Sequence, residues 1–172
     1  MRYWLMRKTV LLVLLIAGQV LGASVSAQDR LPKVTLKDLN GKAVMADTLS
    51  NSGRPFIVDF FATWCKPCNR ELDAISDVYE DWRKETGVRL IAVSIDEAQN
   101  SSKVKPFVES NGWQYDVLLD ANGDLMRAMG FQSIPYVIIV DGDGNIAYRH
   151  SGYTDGAEEE LIETVRRLSK KK

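Results

Sequence analysis

Short apolar runs alternate along this chain with longer segments in which apolar residues recur every three or four positions. The runs are typical of buried strands and lie at 34–39, Ala43–Met45, Phe56–Phe61, 88–95, 117–119, Tyr136–Val140 and 145–150. The helical spacing predicts helices at 66–84, 103–110 and 125–129 and a C-terminal helix with the apolar stripe Leu161, Ile162, Val165 and Leu168. Strands that alternate with helices and end in a hairpin and a helix predict an α/β fold, with a central mixed sheet covered on both faces.

Glycine-containing turns separate several of these elements. Asn40-Gly41 favours a tight hairpin between the first two strands. The Asp-Gly-Asp-Gly sequence at 141–144 is expected to turn the chain between the last two strands, and Gly87 to end the longest helix.

The first 27 residues have the pattern of a secretory signal peptide. Three basic residues precede an apolar run at 10–16, and small residues then lead to Val25-Ser26-Ala27. We expect cleavage after Ala27, which leaves 28–172 as the mature chain. The alternative is an uncleaved anchor, although the apolar stretch is short of the roughly 20 residues that a spanning helix needs. Either process exports the folded part to a periplasmic or otherwise extracytoplasmic compartment, where disulfides can form.

The exported part has the size of one domain with its own core. The whole chain carries 22 basic and 23 acidic residues, and removal of the basic leader makes the remainder mildly acidic. Without a basic stripe, the charge gives no support for nucleic-acid binding. The expected assembly is a monomer.

The chain contains only two cysteines, and they lie three residues apart in Trp64-Cys65-Lys66-Pro67-Cys68. An intramolecular disulfide can join only this pair, and so short a loop gains little stability from it. The pair follows a predicted buried strand and begins a predicted helix, where the unpaired N–H groups stabilise a thiolate. Lys66 adds a nearby positive charge, and Pro67 suits a first helical turn. These features favour a redox-active dithiol.

Two simpler interpretations of the pair are half of a zinc site and two inert buried thiols. Structural zinc needs four protein ligands, and beyond the two cysteines the chain offers one histidine, His150.

The segment 56–68 resembles the active-site segment of the thioredoxin superfamily. Gly130-Phe131-Gln132-Ser133-Ile134-Pro135 resembles its second signature, which ends in a cis-proline opposite the dithiol. With the predicted export and an insertion at 104–129, the chain is similar to extracytoplasmic thiol–disulfide oxidoreductases of the TlpA/ResA type. The resemblance implies a three-layer α/β/α sandwich with an N-terminal β-hairpin and a central insertion between the second and third core strands.

The resemblance also implies a role for each cysteine. Cys65 would be the more exposed, attacking thiol, and Cys68 the resolving thiol. Pro135 would be cis, and the backbone around Ile134 would pair with a bound peptide. The substrate groove is expected at Trp64, Pro67, Ile134 and Pro135.

Two carboxylic acids are candidates for proton transfer and pKa tuning, together with Lys66. Asp59 interrupts an apolar strand, where burial raises the pKa of a carboxyl group, and it matches a thioredoxin aspartate that lies below the resolving cysteine. Glu71 matches a glutamate near the dithiol of ResA-like proteins. The alternatives are an Asp59 that reaches solvent or a lysine, and a Glu71 on a solvated helix face. Asp73 stands where many TlpA-like proteins have proline, which leaves the subfamily open.

The function expected from these residues is reduction of disulfides in specific extracytoplasmic proteins. An extracytoplasmic or membrane dithiol protein would supply the electrons. Neither a metal nor an organic cofactor is needed, because the Cys65–Cys68 disulfide is itself the redox group. The alternatives are a disulfide oxidant or isomerase, since the reduction potential sets the direction, a copper-binding chaperone that uses soft thiolates, and a thiol peroxidase.

Overall fold

The computed structural model describes residues 29–170, and within them seven strands form one sheet. In chain order the strands are β1 Thr35–Asp38, β2 Ala43–Met45, β3 Phe56–Phe61, β4 Arg89–Ser94, β5 Asp116–Leu119, β6 Tyr136–Val140 and β7 Ile146–Ser151. The order across the sheet is β2-β1-β5-β4-β3-β6-β7. The predicted signal peptide and its cleavage point lie outside the described residues.

Four α-helices accompany the sheet in the described part of the chain. They are α1 Lys66–Thr86, α2 Val104–Asn111, α3 Asp124–Met129 and α4 Glu158–Ser169. Each corresponds to a predicted helix, and α1 ends where expected, because Gly87 adopts a left-handed conformation with φ +67°. Two short 3₁₀ turns, at Ala46–Thr48 and Ser101–Lys103, were not predicted.

Strand β3 lies near the centre of the sheet and pairs in parallel with β4 and antiparallel with β6. The insertion between β4 and β6 supplies β5, which pairs in parallel with β4 and antiparallel with β1. The N-terminal hairpin is therefore attached to the core through a strand of the insertion. The sheet is mixed, as predicted.

Helices α1, α2 and α4 cover one face of the sheet, which contains Ile57 and Phe61 of β3. The opposite face contains Val58 and Phe60 and is covered by α3 and the segment before β1. All six residues of β3 are buried, as the apolar run predicts. The predicted three-layer α/β/α architecture is confirmed, although α3, with six residues, makes the second helical layer thin.

No helix in the range 29–170 is both long and apolar enough to cross a membrane.

Candidate active site

The two cysteines meet at the N-terminus of α1, directly after the central strand β3. Cys65 is the N-cap residue, and its Sγ accepts a hydrogen bond from the backbone N–H of Cys68 at 3.3 Å. The two sulfurs form a disulfide with an S–S distance of 2.01 Å. Cys65 is 5% exposed, whereas Cys68 is completely buried. Pro67 lies in the first helical turn, where its missing N–H leaves no helical hydrogen bond unmade.

The loop that leads into the dithiol is fixed by a residue that the sequence analysis did not identify. Asp96 is buried, and its carboxylate accepts hydrogen bonds from the backbone N–H of Thr63 at 2.8 Å and from the Thr63 hydroxyl at 2.7 Å. Ser94 donates a third hydrogen bond to this carboxylate, at 2.8 Å. The sequence feature that could have identified Asp96 is the polar Ser-Ile-Asp end of an otherwise apolar strand.

The loop before β6 carries the second family signature. The peptide bond between Ile134 and Pro135 is cis. Phe131 stacks on Tyr136 with ring centroids 4.1 Å apart and contacts Phe60 of β3 edge-on at 4.7 Å. The side chain of Ile134 packs against both hydrophobic clusters of the core, one of which contains the two cysteines.

Asp59 lies completely buried in β3. It alternates with Ile57 and Phe61 along the strand, so its side chain faces the α1 side of the sheet, where Cys68 also lies. Neither of its carboxyl oxygens has a hydrogen-bond partner within the described residues. Burial raises the pKa of Asp59 to about 8, so the carboxyl group is mostly protonated at neutral pH.

Glu71 lies on the inward face of α1, one turn after Cys68, and is 1% exposed. Among the described residues its Oε2 has no hydrogen-bond partner. Burial, followed by the negative charges of Asp59 and Glu158, raises the pKa of Glu71 to about 10. Glu71 is therefore not on a solvated helix face, and it forms with Asp59 a pair of buried acids on the α1 side of the sheet.

Lys66 and Trp64 flank the dithiol on the solvent side. Both are exposed, and Trp64 is 66% exposed in spite of its large apolar ring. His150 lies in β7, where its ring stacks on Tyr148 with centroids 6.3 Å apart. Within residues 29–170, no three His, Cys, Asp or Glu side chains lie together in a way that could hold a metal ion.

A mixed sheet with a Cys-X-X-Cys pair at the N-terminus of its central helix defines the thioredoxin-like class of proteins. The chain belongs to the AhpC/TSA family, whose model matches residues 27–149. Together with the oxidoreductase relatives below, the fold and the cysteine pair make it a thiol–disulfide oxidoreductase.

Individual relatives agree with this classification. A thioredoxin-like protein from Porphyromonas gingivalis is 61% identical, covers 84% of this chain and 93% of its own, and superimposes with a TM-score of 0.74. The thiol–disulfide oxidoreductase ResA of Halalkalibacterium halodurans is 28% identical over 177 residues, which cover 98% of this chain and 96% of that protein. StoA from Bacillus subtilis is 26% identical, covers 77% of this chain and 98% of its own, and has a TM-score of 0.60.

Proposed function

We propose that this protein reduces disulfides in extracytoplasmic proteins, with Cys65 as the attacking thiol and Cys68 as the resolving thiol. The observation that carries the proposal is the Cys65–Cys68 disulfide at the N-terminus of α1, on the side of the sheet that holds two buried carboxylic acids. Cys65 is the more exposed of the two cysteine residues, and the helix N-terminus stabilises its thiolate. The predicted signal peptide supports an extracytoplasmic location.

The reaction begins from the reduced dithiol. The Cys65 thiolate attacks one sulfur of the substrate disulfide, and the other substrate sulfur leaves as a thiolate. Cys68 then loses its proton and attacks Cys65 Sγ, which releases the second substrate thiol. Two electrons pass to the substrate, and the protein is left with the Cys65–Cys68 disulfide seen in the structure.

Asp59 is the proposed acceptor of the Cys68 proton, in the fraction of molecules in which its carboxyl group is ionised. Its pKa of about 8 lies close to the roughly 8.5 of an ordinary thiol, and a base transfers protons best when the two pKa values match. Glu71, with a pKa of about 10, stays protonated and keeps a second negative charge away from Asp59. Lys66 supplies positive charge beside the Cys65 thiolate. Trp64, Pro67, Ile134 and Pro135 form the proposed substrate groove.

Re-reduction requires a second protein. No organic cofactor is proposed, so the electrons return through another thiol–disulfide exchange, from an extracytoplasmic or membrane-bound dithiol protein to Cys65–Cys68.

Two cysteine variants test the mechanism with a disulfide-bridged model peptide. Cys68→Ser should accumulate a mixed disulfide with the peptide, visible by mass spectrometry, and Cys65→Ser should neither trap the peptide nor reduce it. Turnover by Cys65→Ser at the wild-type rate would refute the assignment of the nucleophile.

The direction of electron flow is tested by equilibration with glutathione buffers. A reductant should have a reduction potential well below about −180 mV, whereas a value near −120 mV is typical of strong periplasmic oxidants. A value near −120 mV would show that the protein acts as a disulfide oxidant and not as a reductant.

The proton-transfer roles are tested by the pH dependence of the resolving step. The wild-type rate should rise as pH approaches about 8, and Asp59→Asn should slow release of the mixed disulfide and remove that rise. Glu71→Gln should retain that rise, because Asp59 is still present. An unchanged profile in Asp59→Asn would exclude Asp59 as the base.

A further inference from the structure

A cleft of about 460 Å³ opens beside Trp64, and neither Ile134 nor Pro135 lines it. One wall follows the end of β4, and the other belongs to the insertion, from the loop between β5 and α3 and from α3 itself. The lining residues are Trp64, Ile95, Glu97, Asn100, Ala121, Asn122, Gly123 and Met126. Neither cysteine lines the cleft, but Trp64 directly precedes Cys65, so one wall of the cleft begins one residue from the dithiol.

The cleft combines apolar surface with a single kind of charge. Trp64, Ile95 and Met126 provide the apolar surface, and Trp64 is the one large hydrophobic side chain in the range 29–170 that is exposed. Glu97 is the only charged residue in the lining. Its carboxylate accepts a hydrogen bond from the Gln99 side chain at 2.8 Å, but no cation within the described residues pairs with it.

This composition selects among possible occupants. An exposed indole next to a methionine favours a bulky apolar side chain, since its burial removes apolar surface of both partners from water. An unpaired carboxylate at the same site favours a basic residue and disfavours an acidic one. A chain whose cysteine is bound to Cys65 can place its neighbouring residues over Trp64, because extended chain advances about 3.3 Å per residue.

We propose that this cleft binds the substrate segment next to the reacting cysteine and selects an extended sequence with a bulky apolar residue and a basic residue. The apolar side chain lies between Trp64 and Met126, and the basic side chain faces Glu97. The proposal rests on the proposed reduction of protein disulfides and adds the class of substrate sequence. It also gives the insertion a role in recognition, because Asn122 and Met126 belong to it.

The experiment compares three disulfide-bridged peptides that differ only in the residues next to one cysteine. The first carries leucine and lysine, the second serine and lysine, and the third leucine and glutamate. Each peptide is made in three versions, in which the pair lies two, three or four residues from the cysteine. Wild type should reduce the leucine–lysine peptide with a kcat/KM about tenfold above that of the serine–lysine peptide at the best spacing. The kcat/KM of the leucine–glutamate peptide should be about threefold below that of the leucine–lysine peptide. High salt should make this difference smaller, because it screens the attraction between Glu97 and lysine.

Two variants locate the preference in the cleft. Met126→Ser should reduce the leucine-over-serine ratio to near one, whereas Met45→Ser, on the edge strand β2, should retain it. Glu97 is exposed, so Glu97→Lys should fold normally and should reverse the lysine-over-glutamate preference. Its control is Glu109→Lys, an exposed residue of α2 outside the cleft, in which the preference should stay.

Equal kcat/KM values for the three peptides, or preferences that survive in Met126→Ser and Glu97→Lys, would overturn the cleft proposal alone if all peptides are still reduced. If wild type reduces no peptide at any spacing, and no small disulfide either, both the cleft proposal and the proposed function are wrong.

Discussion

Asp96 holds Thr63 through two hydrogen bonds, of 2.8 Å to its backbone N–H and 2.7 Å to its hydroxyl, although 33 residues separate the two in the chain. Thr63 lies two residues before Cys65, so the end of β4 determines the path of the loop that enters the dithiol. Asn69 of α1 adds a third attachment, since its side-chain amide donates to the Thr63 carbonyl at 3.1 Å.

Replacement of Asp96 by asparagine should therefore destabilise the protein. The amide has a similar shape but presents one NH₂ group where the carboxylate accepts hydrogen bonds, so one of these donors loses its acceptor. A buried unsatisfied donor costs about 1–3 kcal/mol. The expected loss in the free energy of unfolding is in this range, measured by urea denaturation. Asp47→Asn, at an exposed carboxylate, is the control and should change stability by less than about 0.5 kcal/mol. An equal effect of the two substitutions would contradict the proposed role of Asp96.

The two buried acids predict an unusual pH dependence of stability. In the unfolded chain Asp59 and Glu71 titrate near their ordinary values of 3.8 and 4.5, but in the folded protein their pKa values are raised to about 8 and about 10. Between these limits the folded state binds more protons than the unfolded state. The free energy of unfolding should therefore fall as pH rises from about 5 to about 8. Each acid contributes at most about 1.4 kcal/mol per pH unit, which is the value for a difference of one bound proton between the two states.

Denaturation of the oxidised protein at several pH values in this window measures the effect. Asp59→Asn should make the dependence less steep and should raise stability at about pH 7.5, because a neutral amide pays no charge-burial penalty. Glu71→Gln should act in the same direction. The exposed Glu109→Gln is the matched control and should follow the wild-type curve. A wild-type stability that rises across this window would show that the two acids are not buried as neutral groups.

The parts of the site that could be predicted are those encoded by neighbouring residues. The cysteine pair and its helix start follow from 56–68, and Asp59 is conspicuous because it interrupts an apolar run. Asp96 could not be assigned, because its partner Thr63 is brought to it only by the parallel pairing of β3 with β4. Burial of Glu71 depends on what covers α1, which helical spacing alone does not specify.

The fold shows the same division between local and distant information. The strands and helices were predicted because hydrophobic spacing is local, and the hairpin followed from Asn40-Gly41. The hairpin is attached to β5 through the pairing of Lys37 with Leu119. These residues are far apart in the chain, and no pattern in either strand indicates that the two strands pair.

The insertion is joined to the active-site helix by Tyr115, whose hydroxyl donates to the Leu72 carbonyl of α1 at 2.6 Å. Burial raises the pKa of Tyr115, so it stays a donor at all ordinary pH values. Tyr115→Phe should lower the free energy of unfolding by about 1 kcal/mol. This is at the lower end of the range for loss of a buried hydrogen bond, because the Leu72 carbonyl still accepts a hydrogen bond from the backbone N–H one helical turn later. Tyr136→Phe removes the hydroxyl of a half-buried tyrosine on β6, for which no hydrogen bond is seen in the described part of the chain, and should cost less than about 0.5 kcal/mol. The two variants should differ in thermal or urea denaturation. Equal losses in the free energy of unfolding would show that the Tyr115 hydrogen bond does not stabilise the protein.

Gly87 and Gly112 allow backbone strain at a helix end to be separated from steric contact. Both are C-cap residues in the left-handed region, with φ +67° after α1 and φ +69° after α2. A Cβ on Gly87 would lie 2.6 Å from an Nη atom of Arg54, whereas a Cβ on Gly112 would have no neighbour within 4 Å. Arg54 is exposed, and its guanidinium is the far end of a flexible side chain that can move into solvent.

Backbone strain should therefore dominate at both glycines. Gly87→Ala and Gly112→Ala should each cost about 1 kcal/mol in urea denaturation, and the two losses should agree within about 0.5 kcal/mol. Asparagine tolerates the left-handed region better than alanine, so Gly87→Asn and Gly112→Asn should each recover part of the loss. If Gly87→Ala costs far more than Gly112→Ala, and Arg54→Ala removes the excess, then the guanidinium is held in place and steric contact contributes as well.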